Sequence, residues 1–264
     1  MAAPLYTPEL QANYQRLFDT CVITPDKYAI VDLTVKTIMV SRERYETVSQ
    51  KTGVPWYFIG IAHNLEGGSK FTTHLHNGDP LSARTVHVPK GRPLAGTPPF
   101  KWEFSAEDAL VYSGLDRWKD WSLPGLLYKL EAYNGFGYRR KGININTPYL
   151  WSFSNQYSKG KFVTDGVFSA TAVSKQCGAA VILRRLAEKQ VIVFGITDRK
   201  AIIEQLGESV TYAPSKYVAK AEELQKLLNL DGAYLKVDGK AGKITSDAYR
   251  AVTGRFLKND LRKI

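Results

Sequence analysis

"AHNLEGGSK" (residues 62–70) decides how the chain is read. A single carboxylate, Glu66, ends an almost wholly apolar segment, "GVPWYFIGIAHNLEGG", and two glycines are its last residues. From Pro55 onward that segment has no polar face, which predicts a helix buried in the middle of a domain. Gly67 and Gly68 stop the helix and let the backbone leave at positive φ. An acid placed there meets two penalties on its ionised form: the partial negative charge of the last helical carbonyls, and desolvation. Both favour a protonated carboxyl near neutral pH, the state a general acid needs.

Upstream, "TPELQANYQRLFDTC" predicts a helix with Thr7 as cap and Pro8 in its first turn. The same signal returns at Thr24 and Pro25. Tyr28, Val31, Val35, Ile38, Met39, Tyr45 and Val48 then recur at helical spacing, which predicts one long amphipathic helix. Downstream the period changes. "KFTTHLHNGDPLSARTVHVP" alternates side-chain types and contains Asn77-Gly78, which predicts a β-hairpin whose return strand lies near Ser82 to Val88, after Pro80. Helices are expected at "SAEDALVYS", "LPGLLYKLEAYN" and "FSATAVSKQCGAAVILRRLAEKQ". The long stretch "GFGYRRKGININTPYLWSFSNQYSKGKFVTDG" has no clear period and reads as a functional surface. Composition shifts after about Gly195. "AIIEQLGESV" reads as a short helix, "TYAPSKY" as a linker, and the last fifty or so residues as a unit of their own. The domains expected are 1–210 and 211–264.

Length and composition bound the possibilities. The 264 residues, 44% hydrophobic and 12% aromatic, suit a globular chain. No apolar run approaches the ~20 residues that span a bilayer, so no transmembrane segment is expected. "MAAPLYTPELQANYQRLF" lacks a basic start followed by an apolar stretch, so synthesis in the cytoplasm without a signal peptide is expected. Cys21 and Cys177 are too few for a disulfide framework and read as buried thiols, with a single bridge between them left open. A net charge of +11 draws the chain to polyanions: nucleic acid, anionic lipid, or the acidic polymers of a bacterial envelope. The charge is spread along the chain, and no nucleic-acid motif accompanies it, so nucleic acid is not an expected partner. No cofactor is expected, and the chain is taken as a monomer.

The order of buried helix, Glu66, glycine turn, small hairpin, loop and further helices resembles the lysozyme-like superfamily, and more narrowly phage endolysins and related murein hydrolases. The resemblance implies a mainly α (α+β) fold, with a helical domain that carries a small β-hairpin. It makes Glu66 the general acid of a glycosidase. Phage-type lysozymes also use an Asp and a Thr with five residues between them, a separation that Asp79 and Thr85 share. By that resemblance Asp79 activates water or stabilises positive charge at the sugar carbon, and Thr85 positions the water. Asp79 in "NGDP" also reads as a plain turn residue. "LEAYNGFGY" resembles the Ala-Tyr-Asn-Gly motif of goose-type lysozymes and lytic transglycosylases, which makes Tyr133, Asn134 and Tyr138 candidate sugar contacts, with His76 as a fourth. Asn134-Gly135 reads equally as a helix cap. The Gly-Leu-Met-Gln segment of the goose type is absent here.

"LQKLLNLDGAYLKVDGKAGKITSDAYRAVTG" resembles the small helical peptidoglycan-binding domain found beside many wall hydrolases. Leu224, Gln225, Val237, Asp238, Gly239, Gly242, Thr245 and Ala248 match its order. Together the two resemblances imply an endolysin that cleaves the β-1,4 bond between N-acetylmuramic acid and N-acetylglucosamine. Its partners would be peptidoglycan and the anionic envelope, and a separate route such as a phage holin would bring it to the wall. Three alternatives stay open. One is a lytic transglycosylase on the same bond. Another is a zinc amidase or peptidase built on His74, His76 and His87, which lacks His-Glu-x-x-His. The third is a wall-binding protein without catalysis.

Overall fold

The computed structural model describes residues 3–140, 142–143, 145–164, 166–192 and 199–262. Thr7 starts the first helix as expected: its Oγ1 accepts the Leu10 N–H at 3.3 Å, and α1 runs Pro8–Asp19. The expected long helix is two, α2 (Tyr28–Val40) and α3 (Arg42–Thr52), parted at Ser41. Its backbone leaves helical geometry there, at φ −104° and ψ 13°. The break lets Val31, Val35 and Ile38 of α2 and Tyr45 and Val48 of α3 all be buried. There follow α4 (Trp56–Gly67), α5 (Trp102–Tyr112), α6 (Leu123–Asn134), the single turn α7 (Pro148–Trp151), β1 (Lys161–Thr164), β2 (Val167–Ser169) and α8 (Ala179–Glu188). As its lack of a polar face demands, α4 is central: α2, α3, α6 and α8 all pack on it, and Phe58 through His63 are buried. The chain is mainly helical with one small antiparallel sheet, β1–β2, among the described residues. Among those residues no helix is long and apolar enough to cross a membrane. Cys21 and Cys177 are free and buried.

The hairpin expected over residues 70–89 does not form. Asn77-Gly78 does turn the chain, with Gly78 at φ +81° and a single antiparallel bridge between Thr73 and Pro80. The ladder goes no further because neighbours, not alternate residues, point inward: His74 and Leu75 are both buried. Side chains take the place of the return strand. Asp79 Oδ2 accepts the N–H groups of Val86 and His87 at 2.7 and 3.0 Å. The Thr85 hydroxyl donates to the Pro89 carbonyl and accepts the Arg92 N–H. Among the described residues the sheet lies elsewhere: β1 falls inside the stretch read as irregular, and β2 takes up the start of the helix expected from Phe168, which begins only at Ala179.

Two compact units divide the chain: Met1–Leu5 with Tyr14–Val193, and Tyr6–Asn13 with Phe194–Ile264. The second unit therefore begins earlier than residue 211, because α9 (Arg199–Glu208) belongs to it: Ile203 shares a core with Val210, Ala221, Leu224, Leu228, Ala241, Tyr249 and Leu257. The composition shift near Gly195 lies outside the described residues. Two more helices complete the unit, α10 (Ala219–Leu230) and α11 (Lys243–Thr253). The Leu-Gln and Val-Asp-Gly pieces of the sequence meet here for a physical reason. Gln225 is buried, and its Oε1 accepts the N–H groups of Asp238 and Gly239 at 3.0 and 2.8 Å. Its Nε2 donates to the Asp238 carboxylate, the Lys240 carbonyl and Thr245 Oγ1. One amide side chain thus binds the glycine turn to the helix before it and the helix after it.

In the first unit the entry to α8 passes close to the backbone of α7. A Cβ on Gly178 would stand 2.3 Å from the Leu150 carbonyl oxygen and 2.8 Å from the Ser152 nitrogen. Main-chain atoms on both sides leave nothing flexible to yield. Gly178→Ala is expected to destabilise the protein by about 3 kcal/mol, read as a lower midpoint in urea with an unchanged slope. A variant as stable as the parent would refute this backbone-to-backbone packing.

Candidate active site

Burial of α4 fixes where its last turn emerges. Gly68, at φ +57°, caps the helix, with its N–H bonded to the Asn64 carbonyl and that of Ser69 to the His63 carbonyl. His63 holds the turn from below. Its Nε2 lies 3.0 Å from the Lys70 carbonyl, which only accepts, so Nε2 carries the hydrogen and Nδ1 accepts from Tyr45 Oη at 3.0 Å. Burial pushes the imidazole down to about 4, so it is neutral near pH 7 and this tautomer persists. Phe71 packs edge-on to the His63 ring, and Trp102 edge-on to Tyr45.

Glu66 lies in the last turn of α4, open to solvent on one side. Protein packed around the carboxyl raises its pKa above the ordinary glutamate value, and a hydrogen bond from Tyr149 Oη to Oε1, 2.7 Å long, acts the other way. The helix end adds less than the sequence suggests. The carbonyls of His63 and Asn64 accept the capping N–H groups, and that of Leu65 accepts Gln176 Nε2 at 2.8 Å. Few unpaired carbonyls remain to repel the carboxylate. Desolvation is therefore the main cause. Tyr133 stands beside the pair, its ring edge-on to Phe58 at 5.9 Å. Burial and the charge of Glu66 raise the phenols of both Tyr133 and Tyr149, which keeps both as hydrogen donors. Among the described residues, no carboxylate contributes to the Glu66 shift.

The other expected site residues go elsewhere. Asp79 spends its carboxylate within its own loop, on the Val86 and His87 N–H groups and on His87 Nδ1 at 2.6 Å. Those bonds, the His87 N–H first, hold it down at about 2 although its side chain is covered. Thr85 is buried and its hydroxyl is committed to the same loop. His76 offers no surface to a sugar: its side chain is 0% exposed and its Nε2 bonds Asp108, which Arg92 also clasps. Asn134 is exposed at the end of α6. Tyr138 is buried, accepts the Phe162 N–H, and lines a cavity that Glu66 does not reach.

The three histidines of the zinc reading are each committed to a different partner, although the His74 and His76 rings meet edge-on at 5.7 Å. His74 bonds Ser105 and the Ala83 carbonyl, His76 bonds Asp108, and His87 bonds Asp79. Among the described residues no three His, Cys, Asp or Glu side chains converge as a metal site.

Sequence reasoning missed Tyr149 and Gln176. The Thr147-Pro148 pair is the same helix-start signal as Thr7-Pro8, and Thr147 Oγ1 does accept the Tyr149 N–H, so α7 was legible. Its pairing with a residue 83 positions away was not. Comparison with protein-family models, curated proteins and solved structures finds no match to this chain.

Two outcomes follow from this geometry. The folded chain holds the Glu66 proton above the ordinary value near 4.5, where an unfolded chain has lost it. The stability this supplies is full below that value and is lost as pH rises through the folded pKa. Glu66→Gln is therefore expected to melt higher than the parent at pH 7, with the gap closing toward pH 4. A gap independent of pH would mean that the folded carboxyl titrates like an unfolded one. Asp79→Ala, by contrast, removes three bonds to a carboxylate and is expected to cost about 2–4 kcal/mol of stability, measured by urea unfolding.

Proposed function

We propose that this chain is a peptidoglycan-cleaving glycosidase of the lysozyme-like kind, with Glu66 as its general acid, acting at the bacterial cell wall. The observation that carries the reading is the Glu66 carboxyl at the end of a buried helix, exposed on one side, with its pKa raised by the protein packed around it and its Oε1 held by Tyr149. The Tyr149 hydroxyl occupies Oε1, so the compatible neutral form carries its proton on Oε2. That proton goes to the oxygen linking N-acetylmuramic acid to N-acetylglucosamine as the bond from C1 to that oxygen breaks. The ionised Glu66, stabilised by Tyr149, then takes a proton from whatever attacks C1. With water as attacker the products are one fragment with a new reducing N-acetylmuramic acid end and one with a new 4-hydroxyl on a non-reducing N-acetylglucosamine. The lytic transglycosylase reading has one observation in its favour: Asp79 is tied into its loop and supplies no second carboxylate. In that reaction the 6-hydroxyl of the muramic acid attacks C1, gives its proton to Glu66, and closes a 1,6-anhydro ring.

The second unit supports a wall-binding role. It carries an open groove of about 390 Å³ between α10 and α11, walled by Leu228, Leu235, Ile244 and Ala248, with the Tyr234 ring fully exposed at its edge. An exposed aromatic ring suits the apolar face of a sugar. The charge of +11 adds adhesion to an anionic envelope that salt weakens.

Glu66→Gln is expected to slow lysis of chloroform-treated Gram-negative cells by at least about 100-fold while leaving the fold intact. Chromatography of digested peptidoglycan, before and after borohydride reduction, separates reducing ends from anhydro-sugars. Unchanged lysis by the variant would remove the glycosidase reading.

A further inference from the structure

Helices α6 and α7 pack on one another, and each sends side chains two residues apart to opposite faces. Tyr133 and Tyr149 turn toward Glu66. On the other face, Glu131 of α6 and Thr147 and Trp151 of α7 line a polar cavity of about 540 Å³. Glu66 is not among its lining residues. The two helices are thus a partition with the candidate active site on one side and a ligand-sized space on the other.

The cavity wall includes an ion pair that the proposed glycosidase does not use. Glu131, 1% exposed, accepts from Tyr14 Oη at 2.6 Å and from Arg139 Nε and Nη2 at 2.9 and 2.7 Å. Both carboxylate oxygens are taken, but among the described residues no hydrogen bond takes Arg139 Nη1. The phenol oxygens of Tyr138 and Tyr157 accept the Phe162 and Ser174 N–H groups, so each keeps its own hydrogen to give. Lys159, exposed at the rim, also lines the space and makes no ion pair among the described residues. The Asn146 and Gln156 amides spend their NH2 groups on protein oxygens. Arg139 neutralises Glu131, Lys159 is left as the net positive charge, and the strong unspent groups are donors.

We propose that this cavity is a second binding site, for a ligand that presents a carboxylate. The guanidinium and ammonium supply charge, and the two phenols supply directed hydrogen bonds, to an acceptor that desolvates only when so met. The termini of murein stem peptides and small free dicarboxylates share that chemistry. The inference does not depend on what Glu66 does.

Calorimetry on the full chain with N-acetyl-D-alanyl-D-alanine, its C-terminal amide and succinate tests it. Saturable binding of the dipeptide acid is expected, at least about tenfold tighter than the amide. NMR shifts should concentrate at residues 138–159. Succinate binding in place of the dipeptide keeps the site and assigns it to small carboxylates. Lys159→Glu is expected to weaken binding about tenfold or more at an unchanged melting temperature, and Glu66→Gln to bind as the parent does. No saturation by either acid at about 10 mM, or equal binding of acid and amide, overturns the proposal whether or not the protein lyses cells.

Discussion

Burial of a helix that has no polar face is the constraint on which the first unit rests. A helix such as α4 is stable only when it is surrounded, and α2, α3, α6 and α8 surround it. Each fully buried Phe or Ile of its interior, such as Phe58, Ile59 and Ile61, contributes about 1.5–3 kcal/mol. The same packing that stabilises α4 brings α6 and its neighbour α7 to its last turn. Tyr133 and Tyr149 arrive beside Glu66 as a consequence of covering the helix. A carboxyl that is disfavoured when ionised is a small local loss of stability, and the core around α4 offsets it.

Two acids within fourteen residues show how environment separates their chemistry. Glu66 meets protein atoms and one phenol, and its pKa rises. Asp79 meets backbone N–H groups, and its pKa falls to about 2. The direction follows from whether a group loses water without gaining donors or gains donors aimed at its charge. Asp79 is ionised because the loop needs a permanent acceptor where a strand would have supplied carbonyls. Glu66 keeps a titratable proton because little compensates its charge. A pair of carboxylates pushed apart in this way is the pattern of an acid and a base. Here, however, one of the two has its oxygens filled by the fold and supports the reading of Glu66 as an acid acting without a carboxylate partner.

The features legible in the residues were those with local causes. The run from Pro55 to Gly68 predicted α4, its cap and the position of Glu66, because an all-apolar period and two glycines act over a few residues. Thr7-Pro8, Asn77-Gly78 and Asp238-Gly239 marked a helix start and two turns for the same reason. Ser41 shows the limit: the helical period runs through it unbroken, and the bend arises because two helices must reach α4 from different directions. Alternation over 70–76 failed likewise, since His74 and Leu75 both turn inward and side chains replaced the ladder. The pairing of Glu66 with Tyr149 and of Gln225 with the Asp238–Gly239 turn are tertiary facts. For Gln225 the ordered Leu-Gln and Val-Asp-Gly resemblance carried the signal; for Tyr149 no local signal exists.

The partition formed by α6 and α7 has a mechanical consequence. α7 is a single turn, too short to be stable by its own hydrogen bonds. It is held by the Thr147 cap, by Pro148 in its first turn, and by the backbone of Gly178 pressed against Leu150 and Ser152. Tyr149 therefore reaches Glu66 from an element whose position is set by contacts outside the site. The Tyr149 bond acts against desolvation and lowers the Glu66 pKa, so the acidity of this carboxyl depends on a clamp at the α7–α8 junction. Thr147 and Trp151, on the opposite face, are held by the same cap and the same Gly178 contact, so one clamp fixes what the turn presents to either side.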